Sequence, residues 1–313
     1  MYLFRKLGVE LILNKRAKSL LLKFDAVARA LRSDMIISVA SGKGGTGKTT
    51  VAVNMALSLE DEIQLLDCDV QEPNDHLFFK MGGYEEKRVY SPTPRVNTEL
   101  CDSCGICAEA CQFNAIAVLP DKIMIFDQLC HSCGLCGIVC PRKAIDEESR
   151  EIGVIRMAKQ NNIRFVYGVL NLEEPVAGRL IRAVKDEIEE GKDAVIDCPP
   201  GTSCPVIESV YGSDFCILVT EPTPFGLHGL KLTVDMLREI KIPFGVLVNR
   251  TGIGDTRVYE YCRNEDIPIL LEIPYERRIA ELYSRGIPFA LEMKEWKPRF
   301  QELFQNIKVM IEE

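Results

Sequence analysis

Met35-Ile36-Ile37-Ser38-Val39-Ala40-Ser41-Gly42-Lys43-Gly44-Gly45-Thr46-Gly47-Lys48-Thr49-Thr50 is the stretch whose reading decides the fold. Its first six residues form a short apolar run closed by a glycine-rich loop, the pattern of a buried strand. From Gly42 the chain reads G-x4-G-K-[ST], and a helical pattern runs on through Val51–Leu59. A strand before that motif and a helix after it give the context in which it binds phosphate. Its glycines let backbone N–H groups converge on phosphate oxygens, and the helix N-terminus adds a favourable dipole. Gly42, Lys43, Gly44, Gly45, Thr46, Gly47, Lys48, Thr49 and Thr50 are therefore the candidate ATP-binding loop. Lys48 is expected to reach the β- and γ-phosphates and Thr49 to ligate Mg²⁺.

Working outward, further buried strands fit Ile63–Asp67, Ala194–Asp197, Phe215–Thr220 and Phe244–Asn249. Helices fit Glu174–Glu189, Gly226–Ile240, Thr256–Asn264 and Lys294–Ile311. Apolar strands alternating with helices imply an α/β fold with a mainly parallel sheet, here a P-loop NTPase. Residues 91–148 break the rhythm. They are cysteine-rich, made of short elements, and self-similar: Cys101–Ile116 and Cys130–Ile145 both read C-x2-C-x2-C-x3-C-x3-A-I, about 29 residues apart. Two copies mark a duplicated module rather than a solenoid. The expected organisation is an N-terminal basic segment (1–34), an ATPase domain (35–90 and 149–313) and an inserted α+β bacterial ferredoxin-like domain (91–148).

Of thirteen cysteines, eight lie in these two runs. Disulfides need no such repetition, whereas bacterial ferredoxins do: three thiolates wrap one cube and the fourth reaches the other. That rule assigns Cys101, Cys104, Cys107 and Cys140 to one [4Fe–4S] cluster, and Cys111, Cys130, Cys133 and Cys136 to a second. Zinc is the alternative, but it usually takes paired C-x2-C motifs. Cys140 is followed by Pro141, whereas Cys111 is followed by Gln112, so a local change of backbone is expected there with the ligand retained.

Gly42–Thr50, with its extra Lys43, resembles the deviant phosphate loop of the MinD/Mrp/ParA group. In that family such a lysine reaches across a dimer interface to the partner's nucleotide. Asp67-Cys68-Asp69-Val70-Gln71-Glu72-Pro73-Asn74 resembles its switch I, and Asp197-Cys198-Pro199-Pro200-Gly201-Thr202 its switch II. The resemblance makes Lys43, Lys48, Asp69 and Asp197 the catalytic set, with Asp69 orienting the attacking water and Asp197 joining Thr49 at Mg²⁺. Asn249 and Arg250 resemble the strand end that reads adenine, though an asparagine there also serves as a plain strand-end cap. Asp67 stays open between metal support and a structural carboxylate. Cys204 stays open between a structural role and redox or cluster contact, since the nitrogenase iron protein carries a ligand at similar spacing. Cys68, Cys198 and Cys216 read as small buried residues.

A net charge of −8 gives no general pull toward nucleic acid. No apolar run reaches the roughly 18 residues of a membrane span. Met1–Arg32 is basic and amphipathic, without a leader's cleavage site. It is read as a packed arm, the alternative being a helix on a membrane surface. Dense thiols beside a nucleotide motif indicate a reducing cytoplasm. By resemblance, ATP drives a homodimer, or a dimer with a paralogous ATPase. Three functions compete: nucleotide-gated electron transfer through two clusters, maturation of a metal cluster in a client protein, and a ligase like cobyrinate diamide synthase. No glutaminase-like Cys/His pairing supports the third among His76, His131 and His228. The redox or cluster-accepting client is not named by the sequence.

Overall fold

The computed structural model describes residues 34–80, 82–119, 122–172, 174 and 176–312. The basic segment read over Met1–Arg32 lies outside the described residues. Its elements, in chain order, are β1 (Ile36–Ala40), α1 (Lys48–Ser58), β2 (Ile63–Asp67), β3 (Glu85–Val96), α2 (Ile106–Ala110), β4 (Ile116–Val118), β5 (Ile123–Ile125) and α3 (Leu135–Val139). Then follow β6 (Ile145–Gln160), β7 (Ile163–Leu170), α4 (Gly178–Lys185), β8 (Ala194–Asp197), α5 (Cys204–Val210), β9 (Phe215–Thr220), α6 (Pro224–Ile240), β10 (Phe244–Thr251), α7 (Arg257–Asn264), β11 (Ile269–Pro274), α8 (Arg277–Ser284), α9 (Phe289–Glu292) and α10 (Trp296–Glu312). Short 3₁₀ turns occupy Asp75–Phe78 and Asp127–Leu129.

One sheet carries nine strands in the order β11-β10-β9-β1-β8-β2-β7-β6-β3. The pairs β1/β8, β1/β9, β2/β8, β2/β7, β9/β10 and β10/β11 are all parallel. Every residue of β1, β2, β8 and β9 is buried. That explains why their sequences are continuous apolar runs rather than alternating ones, as two covered faces require. The α/β P-loop NTPase fold expected from the sequence is the fold observed. β6 and β7 are joined by Asn161 and Asn162 alone, a connection open only to antiparallel strands, and Asn161 takes the positive φ of 54° that a tight turn needs.

By contact density the described chain divides into two units, and the division falls inside β3 and β6. One unit contains 34–87, 154–169 and 180–312. Its core lies between the sheet and α1, α9 and α10. Trp296, Phe300, Leu303, Phe304 and Ile307 face inward from α10 at helical spacing, each worth about 1.5–3 kcal/mol of transfer free energy on burial. α4 is shorter than the Glu174–Glu189 helix expected, because Gly178 opens it and the chain turns at Glu187 and Ile188.

The other unit contains 88–153 and 170–179. Its two cysteine runs repeat in backbone as well as in sequence. Ser103, Gly105 and Asn114 have φ of 55°, 82° and 52°; Ser132, Gly134 and Lys143, the same steps along the second copy, have 53°, 72° and 48°. The turn after Cys111 closes with Asn114 N–H on the Cys111 carbonyl, and the turn after Cys140 closes identically from Lys143, both at 3.2 Å. The backbone change expected at Gln112 does not occur. Proline only pre-sets φ near −65°, and a glutamine can adopt the same value.

Candidate functional site

Parallel sheets place their ligands outside the carboxyl ends of the strands. Four strands end here on residues singled out by sequence: β1 on the phosphate loop, β2 on Asp67, β8 on Asp197 and β10 on Asn249 and Arg250. Gly47 caps α1 with φ 95° and no side-chain cap, and no acid stands in the first helical turn. The first N–H groups of the helix therefore have no competing side-chain partner, as an anion site requires. Two glycines of the loop are demanded by close approach. A Cβ at Gly42 would lie 2.1 Å from the Gly229 carbonyl oxygen, and one at Gly47 2.3 Å from Asn249 Nδ2.

Thr49 Oγ1 donates to Asp197 Oδ2 at 2.6 Å, bringing together the two residues assigned to Mg²⁺. Lys48 is buried, and its charge opposes the upward pull of burial on Asp197 and Asp69. Burial, then the neighbouring Asp197 charge, raises Asp69 to about 6. Asp67 accepts backbone N–H groups from Asp69 at 3.0 Å, Asn74 at 2.9 Å and Asp75 at 3.1 Å. Of the two roles left open, its geometry is that of a structural carboxylate that shapes switch I. Burial and Asp197 push its pKa well up, against the backbone donors of Asp75 and Asp69. Sequence reading missed Asp75. It is fully buried beside Asp67 and Asp197 and is raised well above the usual carboxylate range by burial and those charges. Only the letter after Asn74 could have signalled it.

Lys43 Nζ donates to Glu221 Oε2 at 2.8 Å, and Arg250 Nη1 donates to Glu221 Oε1. Lys43 is thus held within its own chain, by a carboxylate that sequence reading did not select. Asn249 Nδ2 donates to the Thr46 carbonyl at 2.7 Å, and its Oδ1 accepts from Arg250 N–H at 2.9 Å. The amide ties the strand end to the phosphate loop, with one N–H and one lone pair left over for a base. Cys204 is exposed at the start of α5, while Cys68, Cys198, Cys216 and Cys262 are buried. Burial pushes the thiols of Cys216 and Cys262 up to about 12 and about 11, as for small core residues.

In the second unit, Cys101, Cys104, Cys107 and Cys140 line one cavity with Val96, Ile123 and Ile145. Cys111, Cys130, Cys133 and Cys136 line another with Phe113, Ala115, Ile116 and Leu135. Each sequence-assigned quartet converges on its own apolar cavity. Backbone N–H groups point at sulfur: Ala115 to Cys111 Sγ and Ala144 to Cys140 Sγ at 3.3 Å, and Ser132 to Cys130 Sγ at 3.4 Å. Such donors favour thiolate, whereas burial raises Cys107 and Cys130 and takes Cys136 to about 11. Among the described residues no three His, Cys, Asp or Glu side chains close on a single-ion point. Binding of any metal group by these thiols would require their deprotonation and so release protons.

The family described as "CobQ/CobB/MinD/ParA nucleotide binding domain" matches residues 37–289. An uncharacterised protein of Methanocaldococcus jannaschii is 29% identical, over 82% of this chain and 91% of its own. An iron–sulfur cluster carrier protein of Pyrococcus horikoshii is 24% identical over 82% of this chain and 79% of its own. In structure, the septum site-determining protein MinD of Pyrococcus horikoshii, complexed with Mg-ADP, superposes with a TM-score of 0.54 at 20% identity. The match covers 88% of this chain and 96% of that one, a likeness of fold.

Proposed function

The chain belongs to the CobQ/CobB/MinD/ParA nucleotide-binding family, and from that premise we propose that it is an ATPase that uses nucleotide state to control electron transfer through two [4Fe–4S] clusters. The observation that carries the reading is the pairing of a complete phosphate loop with two four-cysteine cavities in one chain. Lys48 and the N–H groups of Gly44–Thr49 would hold the β- and γ-phosphates, Thr49 and Asp197 the Mg²⁺. Asp69, half-buried and raised to about 6, has the basicity to orient and polarise an attacking water. Lys43 would exchange Glu221 for the nucleotide of a second copy, forming the ATP-dependent dimer. In the other unit, 91–148 would act as a ferredoxin-like module, with Cys101, Cys104, Cys107 and Cys140 holding one cluster and Cys111, Cys130, Cys133 and Cys136 the other. When bound, such clusters supply reversible one-electron transfer.

A second reading, delivery of a cluster to a client protein, is favoured by the likeness to the iron–sulfur cluster carrier protein. Against it stands the origin of all four cysteines of each quartet in one chain, which suits retention better than a cluster shared between subunits.

The test is anaerobic. Purified protein should carry about eight irons and eight acid-labile sulfides per chain, as two cubes require; zinc without labile sulfide would remove the cluster reading. Mg·ATP should shift the potential of at least one cluster, and a tenfold coupling corresponds to about 59 mV for a one-electron couple. Identical titrations in every nucleotide state, with cluster transfer to an apo-acceptor instead, would replace the first reading by the second.

A further inference from the structure

We propose that Asp75, the residue immediately after the Asp67–Asn74 motif, supplies a second carboxylate to the divalent cation that accompanies the nucleotide, opposite Asp197. The proposal rests on the nucleotide-binding reading above.

Asp75 is 0% exposed, and neither of its carboxylate oxygens has a hydrogen-bond partner among the described residues. It opens the 3₁₀ turn Asp75–Phe78, and its position is fixed from behind: its own N–H and that of Asn74 both go to Asp67 Oδ2. The side chain is therefore placed by the backbone, with its oxygens uncommitted. Asp197 is in a similar state. Its Oδ2 takes the Thr49 hydroxyl, but its Oδ1 is buried without a partner. The two carboxylates face one another closely enough to interact directly.

Three carboxylate oxygens thus lie buried together with no donor aimed at them. A buried carboxylate without a partner is costly, and two facing carboxylates cannot both ionise unless a proton or a cation stands between them. The charges that weigh most on Asp75 are those of Asp67 and Asp197, both of one sign. A hard divalent cation resolves the conflict. Mg²⁺ takes oxygen ligands and is usually bound by one or two carboxylates plus substrate phosphates, keeping several waters. Asp197, Asp75 and the Thr49 hydroxyl form such a partial shell. Two carboxylates and one hydroxyl leave the remaining positions to phosphate oxygens and waters, which suits a cation that enters with nucleotide.

The alternative is a permanent shared proton, with Asp75 serving only to pack switch I. Titration of Mn²⁺ into the full-length protein with ADP, followed by the loss of the free-ion paramagnetic resonance signal, separates the two. Asp75→Asn is isosteric and removes a buried charge, so it should fold and melt no lower than wild type. It should bind Mn²⁺·ADP about 10–100-fold more weakly in metal, while ADP affinity in EDTA is not reduced. Asp75→Ala should show the same metal defect. Equal Mn²⁺ affinity in wild type and both variants overturns the role of Asp75 and leaves the nucleotide site standing. Failure of wild type itself to bind Mn²⁺·ADP overturns both.

Discussion

Asp69 offers a direct measurement of the charge balance in the site. Its carboxyl is raised from 3.8 to about 6, first by burial and then by Asp197. The folded state therefore holds a proton that the unfolded chain has released, so stability is greatest below about pH 4 and falls as pH rises through 6. Between pH 5 and 7, with partial exposure of the side chain allowed for, that contribution falls by about 1 kcal/mol. Asp67, Asp75 and Asp197 are raised too, so the total slope of the wild type is steeper. The difference between wild type and Asp69→Asn isolates the one residue. Denaturant unfolding of the nucleotide-free protein, anaerobically at pH 5, 6 and 7, should show the variant gaining about 1 kcal/mol on wild type across that interval. Mg·ADP should flatten the slope, because the cation supplies the charge that the proton otherwise neutralises. A wild-type-to-variant difference that is constant with pH would refute the reasoning.

Lys48→Ala should abolish ATP binding in a filter or calorimetric assay, since the β- and γ-phosphates lose their main cation. Lys43→Ala should cost no more than about 1 kcal/mol of stability, because Glu221 keeps Arg250 and the lysine is partly exposed; light scattering should nevertheless show ATP-driven dimerisation lost. Gly42→Ala should destabilise by about 3 kcal/mol or more in thermal melts, because its methyl group would meet the Gly229 backbone rather than a yielding side chain. Cys140→Ser should halve the iron and sulfide content, removing the cluster shared with Cys101, Cys104 and Cys107 while the second keeps its spectrum.

What the sequence made legible were features written in local pattern. β1, β2, β8, β9 and β10 are buried on both faces, so each appears as an unbroken apolar run, and the strand–loop–helix of the phosphate site follows from Gly42–Thr50 alone. β3 and β6 escaped reading because charged and polar residues punctuate them: Glu85, Glu86, Lys87 and Arg88 in one, Asp146, Glu147, Glu148 and Arg150 in the other. Strands exposed for much of their length carry no apolar signature. Glu221 and Asp75 were missed for a different reason. Each acquires its meaning from a residue distant in the chain, Glu221 from Lys43, 178 positions away, and Asp75 from Asp197. No window of sequence contains both partners.

The four acids of the switches show how far spacing and environment can diverge. Asp67 and Asp69 stand two residues apart in one motif, yet Asp67 spends its oxygens on three backbone N–H groups of its own loop, whereas Asp69 is half-open and nearly neutral in its proton affinity. Three of the roughly four acceptor sites of Asp67 are thus taken by its own loop. Asp197 divides its two oxygens, one to Thr49 and one to no donor, and Asp75 offers both. In the proposed site, metal binding, water activation and loop support would fall to different carboxylates, sorted by the number of donors each already satisfies. The same donor count places a constraint on switch I. Asn74 and Asp75 are held through one oxygen of Asp67, so a movement that withdraws Asp75 from the site must break the bonds that also fix Asn74. Departure of a cation from between Asp75 and Asp197 would restore the repulsion between them, and the backbone anchored on Asp67 is where that repulsion is resisted. If Asp75 ligates the cation as proposed, the loop would register the cation through Asp75 and transmit its departure through the bonds to Asp67.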